Sequence, residues 1–169
     1  MKQRRITVNL NEIYRDIDSL TYKYAEVSDV PSPSAKNGME SDSTEGLDGR
    51  LLARSVEYRD AKLRAIIGRY LADDCIMSVN NRLESKDTID YELNLDDEFS
   101  DSMLKPVCTM ISRYLVYGSL FDWYGAGMGS RQAANYAQEL TELEYELINN
   151  LQAETIVHKP KQPFGRRLY

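Results

Sequence analysis

Two apolar stripes of matched length, separated by Gly125-Ala126-Gly127-Met128-Gly129, constrain this chain more than any other feature. Before the glycines, Val107, Ile111, Tyr114, Leu115, Leu120, Phe121 and Tyr124 recur at helical spacing. After them, Ala133, Ala134, Tyr136, Ala137, Leu140, Leu147, Ile148 and Leu151 do the same. The spacing predicts one helix over 106–124 and another from Ser130 to Leu151, each roughly 28 to 30 Å long at about 1.5 Å per residue. Pro106 suits a first helical position, where its missing N–H is an unused donor, and Ser130 suits a cap. A five-residue turn between helices of equal length implies an antiparallel hairpin. The three alternating glycines follow a helix, whereas a nucleotide loop follows a strand, and no Lys-Ser/Thr succeeds them. They are therefore a helix stop and turn.

Beyond the hairpin the character of the chain changes. Residues 152–169 carry Lys159, Lys161, Arg166 and Arg167 against Glu154 alone, and Pro160 and Pro163 exclude a helix. Fully extended, these residues reach up to roughly 60 Å at about 3.3 Å each. Phe164, Leu168 and Tyr169 are apolar anchors that a merely solubilising tail does not need. The segment reads as an extended basic arm that grips a partner through Lys159, Lys161, Phe164, Arg166, Arg167 and Tyr169.

The N-terminal side supplies the rest of a core. Ile6 and Val8 alternate within residues 4–9, a short strand, and Asn9 with Glu12 resembles a capping box. Leu10, Ile13, Tyr14, Ile17, Leu20, Tyr24 and Val27 then mark a helix over 10–27. Residues 28–49 mix Pro, Ser, Gly and acidic side chains without periodicity and read as a long loop or disorder. A second helix begins near Leu47 and is expected to continue past Cys75 toward Leu83, with Glu57, Arg59, Asp60 and Arg64 on a solvated charged face. Strict alternation in Thr88–Leu95 predicts a half-buried strand whose partner is residues 4–9.

These elements fit a mainly α fold: about four helices in a small bundle over residues 1–151, a minor two-stranded β element, and the arm. With 169 residues, 42% of them hydrophobic, the chain can bury one core and is short for two. No signal-peptide core or apolar run near eighteen residues is present, so a soluble protein with no membrane partner is expected.

The chemistry that would mark an enzyme is missing from the pattern. His158 is the single histidine and sits in the arm, and Cys75 and Cys108 stand 33 positions apart with no ligand at metal spacing, so they read as buried thiols. Asp73-Asp74 point about 100° apart on a helix and do not form a carboxylate pair. No nucleophile, base and orienter set is visible. We expect no catalytic residue, no cofactor and no metal.

Charge sorts the remaining functions. A net charge of -6 opposes general attraction to nucleic acid. The helix after Ser130 carries Arg131 and then Glu139, Glu142, Glu144 and Glu146, a face that phosphates repel, which argues against a DNA-recognition helix. Residues 87–101 hold seven acidic side chains and no basic one. They lack the ligand spacing and central Gly of an EF-hand, so they read as an acidic surface with Asp96, Asp97, Glu98 and Asp101 at its end. Tyrosine is the compositional outlier, with 12 copies against 3 Phe and 1 Trp. Tyr14, Tyr24, Tyr117 and Tyr124 cannot share one stripe and are candidates for a subunit interface.

The tyrosine-bearing pair, Arg113-Tyr114-Leu115-Val116-Tyr117 through Phe121-Asp122-Trp123-Tyr124 and then Ala134-Asn135-Tyr136-Ala137 to Leu151, together with the C-terminal extension, resembles the head-to-tail connector, or adaptor, proteins of tailed bacteriophages. The resemblance covers about 65 residues and rests on no fixed motif. The strand segments and the 28–49 insertion depart from the simplest members. It implies a non-catalytic virion protein, assembled in the host cytoplasm and residing in the neck as a ring, usually a dodecamer. Its partners would be the portal protein and tail proteins, with DNA only as passing cargo. On that resemblance the acidic end of 87–101 would face the lumen or the tail, and the arm would pair with portal or neighbouring subunit. The alternative is a cellular α-helical protein-interaction adaptor without catalytic activity.

Overall fold

The computed structural model describes residues 1–27, 47–72, 87–126 and 130–152. In chain order the elements are β1 (Lys2–Asn9), α1 (Leu10–Val27), α2 (Leu47–Ile66), β2 (Thr88–Leu95), α3 (Leu104–Ala126) and α4 (Ser130–Gln152), with short 3-10 turns at Gly68–Tyr70 and Asp101–Met103. The chain is mainly α, with four helices and a two-stranded antiparallel sheet among the described residues. Residues 28–46 of the long loop, Cys75, Asp73-Asp74, the glycines at 127 and 129, and the arm with its Lys159, Lys161, Phe164, Arg166, Arg167 and Tyr169 lie outside the described residues.

The two strands pair as their alternation requires. Lys2 stands opposite Leu95 and Asn9 opposite Thr88, an unbroken antiparallel register. One face of the ribbon is apolar and buried: Ile6 and Val8 from β1, and Ile89, Tyr91, Leu93 and Leu95 from β2. The free edge of β2 is partly closed by Leu71, which bridges to Leu93, and by the Ala72 N–H, which donates to Glu92 O at 2.9 Å. A lone ribbon is marginal in water, and this one is stable because α1 and α3 cover its apolar face. The turn from β1 into α1 is capped by Asn9, whose Oδ1 accepts the Asn11 N–H at 2.9 Å and satisfies one orphan donor of the first turn.

α3 is the central element and packs against α1, α2, α4 and β1. Its buried residues, Val107, Ile111, Tyr114, Leu115, Val116 and Leu120, therefore lie on several faces and not on one stripe. α4 is the opposite case. Ala133, Tyr136, Leu140, Leu143, Leu147 and Leu151 form one stripe against α3, while Ala134 is exposed and Ile148 half-buried. Each fully buried Leu or Ile contributes about 1.5 to 3 kcal/mol through removal from water.

Three expectations need correction. α2 stops at Ile66 and does not run on: Gly68, which carries no side chain to favour the helix, opens a 3-10 turn that redirects the chain toward β2. Pro106 occupies the third position of α3, still within the first turn where no N–H is required. The solvated charged face assigned to α2 is largely inside, because Arg59 is only 4% exposed and Asp60 and Arg64 are half-buried.

Candidate interaction surface

The charged side chains of α2 converge on two partners. Arg59 lies across α3, where its Nε donates to Asp122 Oδ2 at 2.9 Å and its Nη2 donates to Asp122 Oδ1. Ser55 Oγ donates to the same Oδ2 at 2.8 Å. Gly118 makes this possible, since a Cβ there would stand 2.5 Å from Arg59 Cδ. The guanidinium also sits 5.1 Å from the centre of the Phe121 ring. Burial works against the Arg59 charge, but the Asp122 carboxylate outweighs it and holds the pKa above its ordinary value.

One turn later, Arg64 Nε donates to Asp60 Oδ2 at 3.0 Å and Arg64 Nη2 to the Asp90 carbonyl at 3.0 Å. The buried Tyr91 hydroxyl donates to Asp60 Oδ1 at 2.6 Å. Burial pushes the Tyr91 phenol well above the usual range, and Asp60 pushes it further, so it is a neutral donor. α2 is thus fastened to α3 by one ion pair and to β2 by another group of bonds. These contacts fix its register and place no nucleophile beside a base.

A third polar link joins α3 to α4: Tyr114 Oη donates to Glu144 Oε1 at 3.1 Å. Burial first, and the Glu144 charge second, push Tyr114 up to about 12. A phenol whose folded pKa lies above its free value of 10.0 stabilises the fold fully below pH 10 and loses that contribution as pH rises through about 12. Glu144→Gln is expected to bring the Tyr114 titration down toward the ordinary value, read from phenolate absorbance on alkaline titration. An unchanged titration would contradict the assigned bond.

The acidic segment runs along β2, with Asp96, Asp97, Glu98 and Asp101 beyond its Leu95 end, and it is less anionic than its composition. Asp96, Asp97 and Glu98 are exposed on a turn closed by the Phe99 N–H to the Asp96 carbonyl at 3.1 Å. Asp97 accepts the N-terminal ammonium at 3.0 Å. Asp101 accepts both Arg4 Nε at 2.8 Å and Arg4 Nη2 at 3.0 Å, and this bond holds its carboxyl below the usual range. Asp90 takes Thr7 Oγ1 at 2.6 Å and Arg5 Nη2 at 2.5 Å. The basic side chains that answer the acidic run come from β1, roughly ninety positions away, and no local pattern announces them.

The tyrosines named as interface candidates take different places within the chain. Tyr14 is half-buried against the core from α1, and the side chain of Tyr24 lies outside the described residues. Tyr117 and Tyr124 are half-buried and meet Tyr136 within the hairpin, at ring separations of 5.5 Å and 6.0 Å. The described aromatic side chains most open to solvent are instead Tyr58 at 52% and Tyr145 at 70%, followed by Trp123 at 36%. Their exposure is set by neighbours in space, so periodicity alone did not single them out.

Cys108 is half-buried, with its Sγ 3.9 Å from the Thr7 carbonyl, and burial raises its thiol pKa. No group of His, Cys, Asp and Glu able to hold a metal ion occurs among the described residues, and no helix there is long and apolar enough to cross a membrane. Comparison with protein-family models, with curated proteins and with solved structures gives no match to this chain.

Proposed function

We propose that this chain is a non-catalytic structural component of a tailed-phage neck, where copies form a ring that joins the portal vertex to the tail and lets DNA pass. The observation that carries the reading is the division of labour in the chain. A bundle closed by its own contacts ends at Gln152, and the remaining 17 residues hold four of the 21 basic side chains together with Phe164, Leu168 and Tyr169. Exposed Tyr58 and Tyr145 on separate helices add surface suited to protein contacts. Two features suit a passage for DNA: the chain's net negative charge and the exposed Asp96, Asp97 and Glu98, none of which adheres to phosphate.

In this reading the arm lies in a groove that a partner supplies and adds nothing to the core of its own bundle. Lys and Arg steer the encounter, and Phe164 and Tyr169 give specificity. Deleting residues 155–169 is expected to leave the melting temperature and helical circular dichroism unchanged while abolishing assembly. Assembly that survives the truncation would defeat this role for the arm.

A further inference from the structure

Among the described residues, α4 leaves its outer face to solvent along most of its length. Gln138, Glu142, Tyr145 and Asn149 follow one another at spacings of four, three and four residues, all exposed, with Glu139 and Glu146 beside them. Tyr145 is the most exposed large aromatic of the described residues, in the middle of this acidic stripe. We propose that this face is the dock for residues 153–169 of a second copy of the chain. The inference rests on the reading of the protein as a self-assembling component and names the surface and segment that make the contact.

Charge complementarity is the first argument. α4 carries Arg131 against Glu139, Glu142, Glu144 and Glu146, a net of -3, and residues 153–169 carry four basic side chains against Glu154, a net of +3. Length is the second. The stripe from Gln138 to Asn149 runs about 16 Å at about 1.5 Å per residue. Lys159 to Arg167 spans up to roughly 26 Å when extended, enough to follow it. Phe164 falls between the two basic pairs, where it can meet the Tyr145 ring.

A second copy is favoured over the chain's own helix by where the segment starts. It leaves α4 at Gln152, one turn beyond the stripe, and residues 153–158 include no Gly, Pro, Asn, Asp or Ser to reverse the direction of the chain. Seven residues let Lys159 stand at most roughly 23 Å from Gln152, enough to reach a neighbouring copy.

Charge exchange between two full-length variants tests this. One carries Glu142→Lys and Glu146→Lys, so that its face and arm are both positive; the other carries Lys159→Glu and Lys161→Glu, so that both are negative. Sedimentation should show each associating at least about tenfold more weakly than the parent chain, with circular dichroism unchanged, and a 1:1 mixture should restore association. Tyr145→Ala should weaken the parent's association without altering its fold. Parent and variants that self-associate equally would overturn the dock while leaving ring assembly intact. Exchange-dependent dimers that never close into a ring would support the dock and count against the neck reading. Chains that stay monomeric alone and in the mixture would overturn the dock outright.

Discussion

Asp122→Ala is expected to destabilise the chain by about 3 kcal/mol, because it strands the Arg59 guanidinium in the interface between α2 and α3. The side chain of Arg59 is only 5% exposed and that of Asp122 28% exposed, so the loss sits at the lower end of what breaking a buried pair costs. Replacing both residues together by leucine is expected to recover most of it, since an apolar pair of similar volume leaves no charge unpaired. Gly118→Ala probes the same contact from below. Its Cβ would stand 2.5 Å from Arg59 Cδ, in the middle of a pinned side chain, so overpacking of about 1 to 3 kcal/mol outweighs the roughly 1 kcal/mol gained in helix propensity. Urea unfolding followed by circular dichroism measures all three. A loss below about 0.5 kcal/mol for Asp122→Ala would mean that water reaches Arg59.

Leu115→Ala is expected to cost about 2 to 4 kcal/mol. Leu115 is fully buried on the central helix, which packs against α1, α2, α4 and β1, and rigid neighbours leave a cavity that collapses only partly. For a chain of this size the corresponding fall in melting temperature is roughly 5 to 15 °C. A fall of one or two degrees would move Leu115 to a surface and contradict the packing of α3.

What the sequence discloses and what it hides follow from range. The bounds of α1, the hairpin of α3 and α4 and the pairing of residues 4–9 with 88–95 depend on local periodicity and are visible as such. The Gly68 stop was legible too, but apolar residues on both sides kept the helical period running and masked it. The polar contacts were out of reach. Arg59 meets Asp122 across 63 positions and Arg4 meets Asp101 across 97, and a charged residue between apolar ones looks solvated until the facing helix is known. The tyrosines show the same limit: Tyr117 and Tyr124 meet Tyr136 of the next helix, whereas Tyr145, on the acidic outer face of α4, is left open.

The mass of the full-length protein under native conditions, measured across a concentration series, tests the central claim most directly. Assembly into a neck ring predicts one closed species of fixed stoichiometry, twelve chains of 19.4 kDa on the connector resemblance, that disappears when residues 155–169 are removed. A chain that remains a monomer or dimer at every concentration, with its arm present and its fold intact, would contradict it.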